Sequence, residues 1–134
     1  MARFSRVLLV EDDPITVLVC ERIIKMTFFS EEVTSVNNGQ EALDFIKEQL
    51  ESAPEYLPEV IFLDINMPLM NGWEFLDEFA PLYASFKKLP LIYILSSTVD
   101  PEDQQKGATY HFVQRFISKP LTKNDLEEIS TLPY

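Results

Sequence analysis

Short apolar segments alternate with polar stretches along the chain and predict five strands. Three of the apolar runs are continuous rather than alternating, which is typical of strands buried on both faces of a parallel sheet. Helices should therefore cover both faces. The predicted strands contain Val7–Val10, Val60–Leu63, Leu91–Leu95 and Phe116–Ile117, with a weaker candidate at Val33–Val36.

Three of the segments between these strands have apolar residues at helical spacing and are predicted to form helices with one apolar stripe each. The segment from Ser52 to Glu59 contains two prolines and is predicted to be a connecting loop. The three predicted stripes are Ile15, Leu18, Ile23 and Met26; Ala42, Phe45, Ile46 and Leu50; and Trp73, Leu76, Phe79, Ala80 and Tyr83.

Helix start signals support the same division of the chain. A capping acid followed by proline at the first helical position begins two helices, and a capping pair at three-residue spacing begins two more. The last helix, from about Lys123 to Ser130, is predicted to be short. Alternating strands and helices predict a doubly wound α/β domain with right-handed crossovers. The start signals are Asp13-Pro14, Asp100-Pro101, Asn38 with Glu41, and Thr122 with Asp125.

Length and charge narrow the possible functions. The 134 residues are enough for one domain, and 22 acidic against 11 basic residues give a net charge of −11. This charge argues against binding nucleic acid or an anionic membrane by bulk electrostatics.

The single Cys20 excludes an intramolecular disulfide, and the apolar run Val7–Val10 is too short for a signal peptide or a membrane span. We therefore expect a cytoplasmic protein.

Polar side chains follow four of the predicted strands, at the ends that face one edge of a parallel sheet. Clustered carboxylates repel one another, and a hard divalent cation among them would relieve that repulsion. Magnesium suits such a group because it binds through one or two carboxylates, waters and a phosphoryl oxygen, and a lysine can neutralise a phosphoryl oxygen. These residues are Glu11, Asp12 and Asp13; Asp64; Ser96 and Ser97; and Ser118, Lys119 and Pro120.

Four sequence motifs carry a family resemblance. VLLVEDDP, VIFLDINMPLMNGWEFL, LIYILSS and FISKPL, in this order and spacing, resemble the receiver domain of two-component response regulators. The resemblance covers nearly the whole chain and implies a flavodoxin-like sheet of five parallel strands in the order 2-1-3-4-5. It also implies that residues 1–134 form a single stand-alone receiver domain with no output domain.

The resemblance assigns roles to individual residues. Asp64 is expected to be the phosphoacceptor, Asp12 to bind Mg²⁺ directly, Glu11 to hold the metal through water, and Asn66 to contribute its backbone carbonyl. Further expectations concern the rest of the site: Ser96 and Lys119 would contact the phosphoryl group, Phe116 would be the switch aromatic residue, Met67-Pro68 and Gly72 would shape the loop after the nucleophile, and Lys119-Pro120 would be cis.

The implied function is that of a signalling phosphoacceptor, which catalyses only its own phosphorylation and dephosphorylation. A sensor histidine kinase or a histidine phosphotransfer protein would donate the phosphoryl group, and phosphorylation would switch a surface that binds an unidentified protein partner. Asn66 and Thr98 flank the site and are expected to tune the rate at which the acyl phosphate is hydrolysed.

Three alternatives stay open on the sequence alone. A receiver-like interaction scaffold would not be phosphorylated. Its usual mark is loss of the nucleophile, an acid or the lysine, and this chain has lost none of them. A haloacid dehalogenase type of phosphohydrolase also uses an aspartate nucleophile, yet it needs a second aspartate where this chain has Asn66. A flavodoxin-like flavin carrier would place a phosphate where Glu11, Asp12 and Asp13 would repel it.

One segment departs from the family pattern. A Gly-Ala pair commonly precedes the last strand, but counting back from Phe116 reaches Phe112-Val113. The path of residues 104–115 is therefore not predicted. Among the other polar or reactive residues, Asp13 is expected to be a helix N-cap, Cys20 a core residue and His111 structural.

Overall fold

The computed structural model describes residues 2–67, 69–97 and 100–131. Five strands form one sheet in the order β2-β1-β3-β4-β5, and every neighbouring pair is parallel. The predicted doubly wound α/β fold and the 2-1-3-4-5 order are therefore confirmed. The strands are β1 (Phe4–Val10), β2 (Ser30–Val36), β3 (Val60–Asp64), β4 (Leu91–Ser96) and β5 (Val113–Ser118).

A helix follows each strand. The last helix has the predicted bounds, whereas the segment predicted as a loop between Ser52 and Glu59 contains the end of a helix and a 3₁₀ turn at Pro54–Tyr56. In the described part of the chain, no helix combines the length and the hydropathy that crossing a bilayer requires. The helices are α1 (Pro14–Met26), α2 (Gly39–Ser52), α3 (Gly72–Tyr83), α4 (Pro101–Ala108) and α5 (Lys123–Ser130).

The predicted capping residues begin four of these helices. The Asp13 carboxylate accepts the Thr16 amide at 3.2 Å, and Asn38 accepts the Glu41 amide at 3.0 Å. Asp100 caps α4, and Thr122 with Asp125 forms a reciprocal capping box at α5. A second capping box, Asn71 with Glu74, begins α3. Its three-residue spacing was available in the sequence, so the same rule would have found it.

Two apolar cores lie on opposite faces of the sheet. Side chains alternate along β1, so that Leu8 and Val10 pack in one core with residues of α2 and α3. Val7 and Leu9 pack in the other core with residues of α1 and α5. Helices on both faces explain why the central strands are apolar at consecutive positions.

The predicted apolar stripe of α1 is wrong for three of its four residues, and only Ile23 packs against a core. Cys20 and Ile24 are the buried residues of this helix, whereas Ile15, Leu18 and Met26 are 72%, 50% and 73% exposed. Apolar residues occur at most positions of α1, so helical spacing alone does not define one face. Contact with the sheet selects the face, and this leaves an exposed apolar surface on the outer side of α1.

The segment that departs from the family pattern now has a defined path. Helix α4 ends at Ala108, and a short connection with a buried Phe112 leads into β5. The pairing of β4 with β5 shifts by one residue near Tyr93, which leaves Gln114 as an extra residue in β5. The bulge and the connection contain the residues between Ala108 and Phe116 that could not be placed by counting back from Phe116.

Tyr93 carries a buried hydroxyl that has no hydrogen-bond partner among the residues described by the structure. Its ring lies 6.0 Å from that of Phe62, and burial raises the pKa of its phenol. We expect Tyr93→Phe to stabilise the fold by about 1 kcal/mol, because it removes an unsatisfied polar atom and keeps the ring. Urea denaturation would measure this change. Tyr110→Phe is the control, because the Tyr110 hydroxyl has a hydrogen-bond partner and donates to Asp77 at 2.6 Å. A clear loss of stability in Tyr93→Phe would contradict the prediction.

Candidate functional site

Three carboxylates converge where adjacent strands β1 and β3 end. One oxygen from each of Glu11, Asp12 and Asp64 lies within 4.8 Å of the others. Glu11 and Asp64 are 1% and 3% exposed, whereas Asp12 is open to solvent. The predicted juxtaposition of these acids at the carboxyl edge is therefore observed, with one acid accessible from outside.

Lys119 brings a positive charge into this acidic cluster from the end of β5. Its Nζ lies 2.6 Å from Oε1 of Glu11 and 3.3 Å from Oδ2 of Asp64. Its amide donates to the carbonyl of Ser96 at 2.9 Å, which ties the lysine to the end of β4. The bond from Lys119 to Pro120 is cis, as predicted. The lysine thus balances part of the carboxylate charge.

Burial and neighbouring charges shift the pKa values of this group. Burial raises the pKa of Glu11, the Asp64 charge adds to this, and Lys119 together with the Asp13 amide opposes it. For Lys119, burial lowers the pKa, but the hydrogen bond to Glu11 and the charge of Asp64 outweigh it, so the net pKa is raised. Lys119 therefore stays an ammonium at neutral pH.

The loop after Asp64 is held close to the Asp64 carboxylate. The Asn66 amide donates to Oδ1 of Asp64 at 3.0 Å, and the Gly72 amide donates to the carbonyl of Ile65 at 3.2 Å. A Cβ on Gly72 would lie 2.7 Å from the Asp64 carbonyl oxygen. Gly72 was expected to shape this loop. Its φ is not positive, so the position requires glycine for space and not for an unusual backbone conformation.

Other residues predicted near the site include Met67, Pro68, Thr98 and Asp13. Met67 is buried in the core, and Leu69, at 86% exposed, has a φ of 67°. Pro68 and Thr98 lie outside the described residues. Asp13 caps α1, as predicted, and its amide donates to Oε2 of Glu11 at 3.1 Å.

Ser96 and Phe116 lie on the neighbouring strands β4 and β5. Ser96 is 1% exposed at the end of β4 and pairs with Ser118 of β5. Phe116 is half-buried in β5 and lies against α4, where a Cβ on Gly107 would come within 2.5 Å of its ring. Their expected roles, contact with the phosphoryl group and switching, stay predictions.

The donor set fits a hard divalent cation. Carboxylate oxygens are the ligands that Mg²⁺ and similar ions prefer, and Glu11, Asp12 and Asp64 each present one to a common space. The accessible Asp12 leaves an approach from solvent, and such openness is needed if a phosphoryl oxygen is to join the metal ligands. The acidic cluster, which includes the buried Asp64, is therefore a candidate metal site.

Comparison with known proteins decides the family. The family model described as the response regulator receiver domain matches residues 7–131. The chain belongs to this family. Receiver domains are signalling phosphoacceptors rather than classical enzymes, and histidine kinases or phosphotransfer proteins phosphorylate them.

Curated relatives and solved structures agree with this membership. The receiver domain is 26% identical over 121 residues to the probable methanogenesis regulatory protein FilR2 of Methanothrix harundinacea, covering 90% of this chain and 76% of that protein. It is 32% identical over 121 residues to the cell cycle response regulator CtrA of Brucella ovis, covering 90% of this chain but only 46% of CtrA. The chain thus spans about half the length of the CtrA relatives.

Two solved structures are informative. A two-component response regulator from Cytophaga hutchinsonii superimposes with a TM-score of 0.85 at 39% identity, covering 93% of this chain and 92% of that one. The receiver domain of the histidine kinase CKI1 from Arabidopsis thaliana, complexed with Mg²⁺ and BeF₃⁻, gives a TM-score of 0.77 at 25% identity, covering 96% and 91%.

The receiver domain also has an aromatic cluster that sequence reasoning missed. The Trp73 ring of α3 stacks on Tyr110 at 6.1 Å and lies 6.4 Å from Phe116, with the Lys106 ammonium 4.8 Å above it. Burial and the hydrogen bond to Asp77 raise the pKa of Tyr110 to about 12. Trp73 is far in sequence from the other three residues, so only the topology reveals its contact with the segment from α4 to β5.

Proposed function

We propose that this receiver domain accepts a phosphoryl group on Asp64 from a histidine kinase or a histidine phosphotransfer protein, with Mg²⁺ bound at the acidic cluster. The observation that carries the proposal is the grouping of Glu11, Asp12, Asp64 and Lys119 at one edge of the sheet. Two acids, a buried aspartate and a lysine are the groups that phosphoryl transfer to a carboxylate needs.

In the proposed transfer, a carboxylate oxygen of Asp64 attacks phosphorus on the donor's phosphohistidine. An O–P bond forms, the N–P bond breaks, and its electron pair returns to the imidazole, which can then take up a proton. The Asn66 amide holds Oδ1 at 3.0 Å and fixes the orientation of the carboxylate. The Nζ of Lys119 lies 3.3 Å from Oδ2, close enough to pair with a phosphoryl oxygen once the group is on Asp64.

Glu11, Asp12, Asp64 and the backbone carbonyl of Asn66 are the proposed metal ligands, with Glu11 acting through water. Bound Mg²⁺ would neutralise charge on the carboxylates and the phosphoryl oxygens. The CKI1 receiver domain complexed with Mg²⁺ and BeF₃⁻, a phosphoryl mimic, supports this choice of cation. The phosphorylated form of the cyanobacterial phytochrome response regulator RcpA, which is 25% identical with a TM-score of 0.74, supports phosphorylation itself.

A protein donor suits the surface beside this site. The exposed side chains of Ile15, Leu18 and Met26 give α1 an apolar outer face that begins next to Asp12 and Asp13. An apolar face of this kind favours protein contact over a small soluble donor. We propose Ser96 and Phe116 as the hydroxyl and the aromatic residue through which phosphorylation changes the surface near α4.

The test is to incubate the purified protein with acetyl phosphate and Mg²⁺ and to record its intact mass. We expect the wild type to gain one phosphoryl group, and Asp64→Asn or the magnesium-free sample to gain none. Asp13→Asn is the matched control, because it makes the same change at the same edge in a residue that caps α1. It should be labelled like the wild type.

Two results would contradict the proposal. One is labelling of Asp64→Asn to the same extent as the wild type. The other is no adduct under conditions that label a known receiver, together with no binding of beryllofluoride. The second result would favour the interaction scaffold, because a short-lived acyl phosphate would still leave beryllofluoride binding intact.

A further inference from the structure

The first residue of α2 touches the loop that follows Asp64. The Gly39 amide, which has no acceptor within its own helix, donates to the carbonyl oxygen of Met70 at 2.9 Å. Gly39 is buried, and the bond joins two segments that are far apart in sequence. The N-terminus of α2 therefore holds the far end of the Asp64 loop, defined here as residues 65–67 and 69–71.

This approach is possible only because Gly39 has no side chain. A Cβ there would lie 2.8 Å from Cγ and 2.9 Å from the carbonyl oxygen of Met70, and 3.0 Å from Cβ of Phe75. The φ of Gly39 is not positive, so an L residue could adopt its backbone conformation. The demand for glycine comes from the closeness of the loop, and a methyl group would push against a backbone atom that carries a structural hydrogen bond.

The loop has little slack to absorb such a push. Its near end is fixed by the Asn66 amide on Asp64 and by the Gly72 amide on the carbonyl of Ile65. Its middle is anchored by Met67, which is only 8% exposed and packs in the core. A displacement at Met70 should therefore reach Asn66 and the carboxylate that its amide orients.

We propose that Gly39 is a positioning residue for the phosphoacceptor, holding the Asp64 loop through its amide and through its lack of a side chain. This role rests on the proposed function of Asp64. Misplacement of reacting groups by about 1 Å can cost roughly a hundredfold in rate, so a smaller shift should still be measurable.

Gly39→Ala tests the proposal in the metal-free protein, by NMR-detected amide hydrogen exchange. We expect the Asn66 and Gly72 amides to exchange at least about fivefold faster, since their hydrogen bonds open more often, while the Leu126 amide of α5 is unchanged. Gln40→Gly is the matched control: it weakens the first turn of α2 at an exposed position and adds nothing beside Met70. It should leave the Asn66 and Gly72 amides at wild-type rates.

A second measurement connects the loop to the site. The Mg²⁺ concentration that gives half-maximal labelling by acetyl phosphate should rise at least about fivefold in Gly39→Ala, with the rate at saturating Mg²⁺ changed less. A merely destabilised α2 would not move this concentration in a folded sample. Wild-type exchange rates or an unchanged half-maximal concentration in Gly39→Ala would overturn the role of Gly39.

A double variant separates the backbone from the side chain. Gly39→Ala with Met70→Ala removes the contact to Cγ but keeps the contact to the Met70 carbonyl, and should keep the defect. This less crowded variant also serves if Gly39→Ala does not fold. Full recovery in the double variant would overturn positioning through the backbone. Failure of the wild type both to be labelled and to bind beryllofluoride would instead refute the proposed function, while hydrogen exchange still reports whether Gly39 holds the loop.

Discussion

Replacing Lys119 by methionine is expected to lower the free energy of unfolding of the metal-free protein by about 3 kcal/mol at neutral pH. The ammonium lies 2.6 Å from Glu11 and 3.3 Å from Asp64, and these carboxylates are almost completely buried. Methionine keeps most of the side-chain volume, so the loss would come from two buried negative charges that no longer have a counter-ion. Chemical denaturation in the presence of a chelator would measure it.

The deficit of Lys119→Met should depend on pH and on metal. Burial and Asp64 already raise the pKa of Glu11, and loss of the lysine would raise it further. Because the folded state would then bind a proton more tightly than the unfolded state, the variant should regain stability as the pH falls from neutral toward roughly 5. Added Mg²⁺ should also restore stability, since it would replace the missing positive charge.

Lys123→Met is the matched control for Lys119→Met. Lys123 lies 3.8 Å from Glu127 on the surface of α5, where both side chains are more than half exposed. Such a pair contributes about 0 to 1 kcal/mol, and its loss should show no recovery with Mg²⁺. Equal effects of the two substitutions would contradict the view that Lys119 is the internal counter-ion of the acidic cluster.

Phe79→Ala is expected to destabilise the fold by about 3 to 5 kcal/mol. Phe79 is fully buried on α3, and its ring centroid lies 5.5 Å from that of Phe75 and 5.6 Å from those of Phe86 and Phe112. Truncation would leave a cavity that these large rings cannot fill without moving. Thermal and chemical denaturation should both show the loss, which is a large part of the stability of a typical small domain.

The control for Phe79→Ala deletes the same ring from the surface. Phe28 is 70% exposed after the end of α1, so Phe28→Ala should change the stability by less than about 0.5 kcal/mol. A small effect of Phe79→Ala would mean that the aromatic core between α3 and β5 relaxes around the deletion. That outcome would contradict the close packing inferred from the ring geometry.

The sheet could be predicted because each central strand is continuously apolar and each helix begins at a recognisable cap. Val60 to Leu63 are buried on both faces, and Asp13, Asn38 and Thr122 cap the helices they were expected to cap. These signals are local, so they survive in the sequence. The order of the strands came from the family resemblance, since local patterns carry no information about which strands are neighbours.

The face of α1 and the aromatic contacts could not be predicted, because long-range packing decides them. Ile15 and Leu18 are as apolar as Ile24, and only the sheet determines which of them is buried. Likewise, nothing near Gly39 in the sequence indicates that its amide nitrogen lies 2.9 Å from the carbonyl oxygen of Met70. The acidic cluster was predictable for the opposite reason: parallel strands bring their carboxyl ends to one edge whatever the details of packing.

The contacts of Trp73 also give the protein an optical probe of its own. Trp73 is the only tryptophan in the chain, and its indole touches Phe116, stacks on Tyr110 and lies under the charge of Lys106. Excitation at the red edge of tryptophan absorption therefore isolates emission from the junction of α3, α4 and β5. Indole emission depends on nearby charge and on ring contacts, so any rearrangement of Phe116 can be followed by fluorescence without attaching a dye.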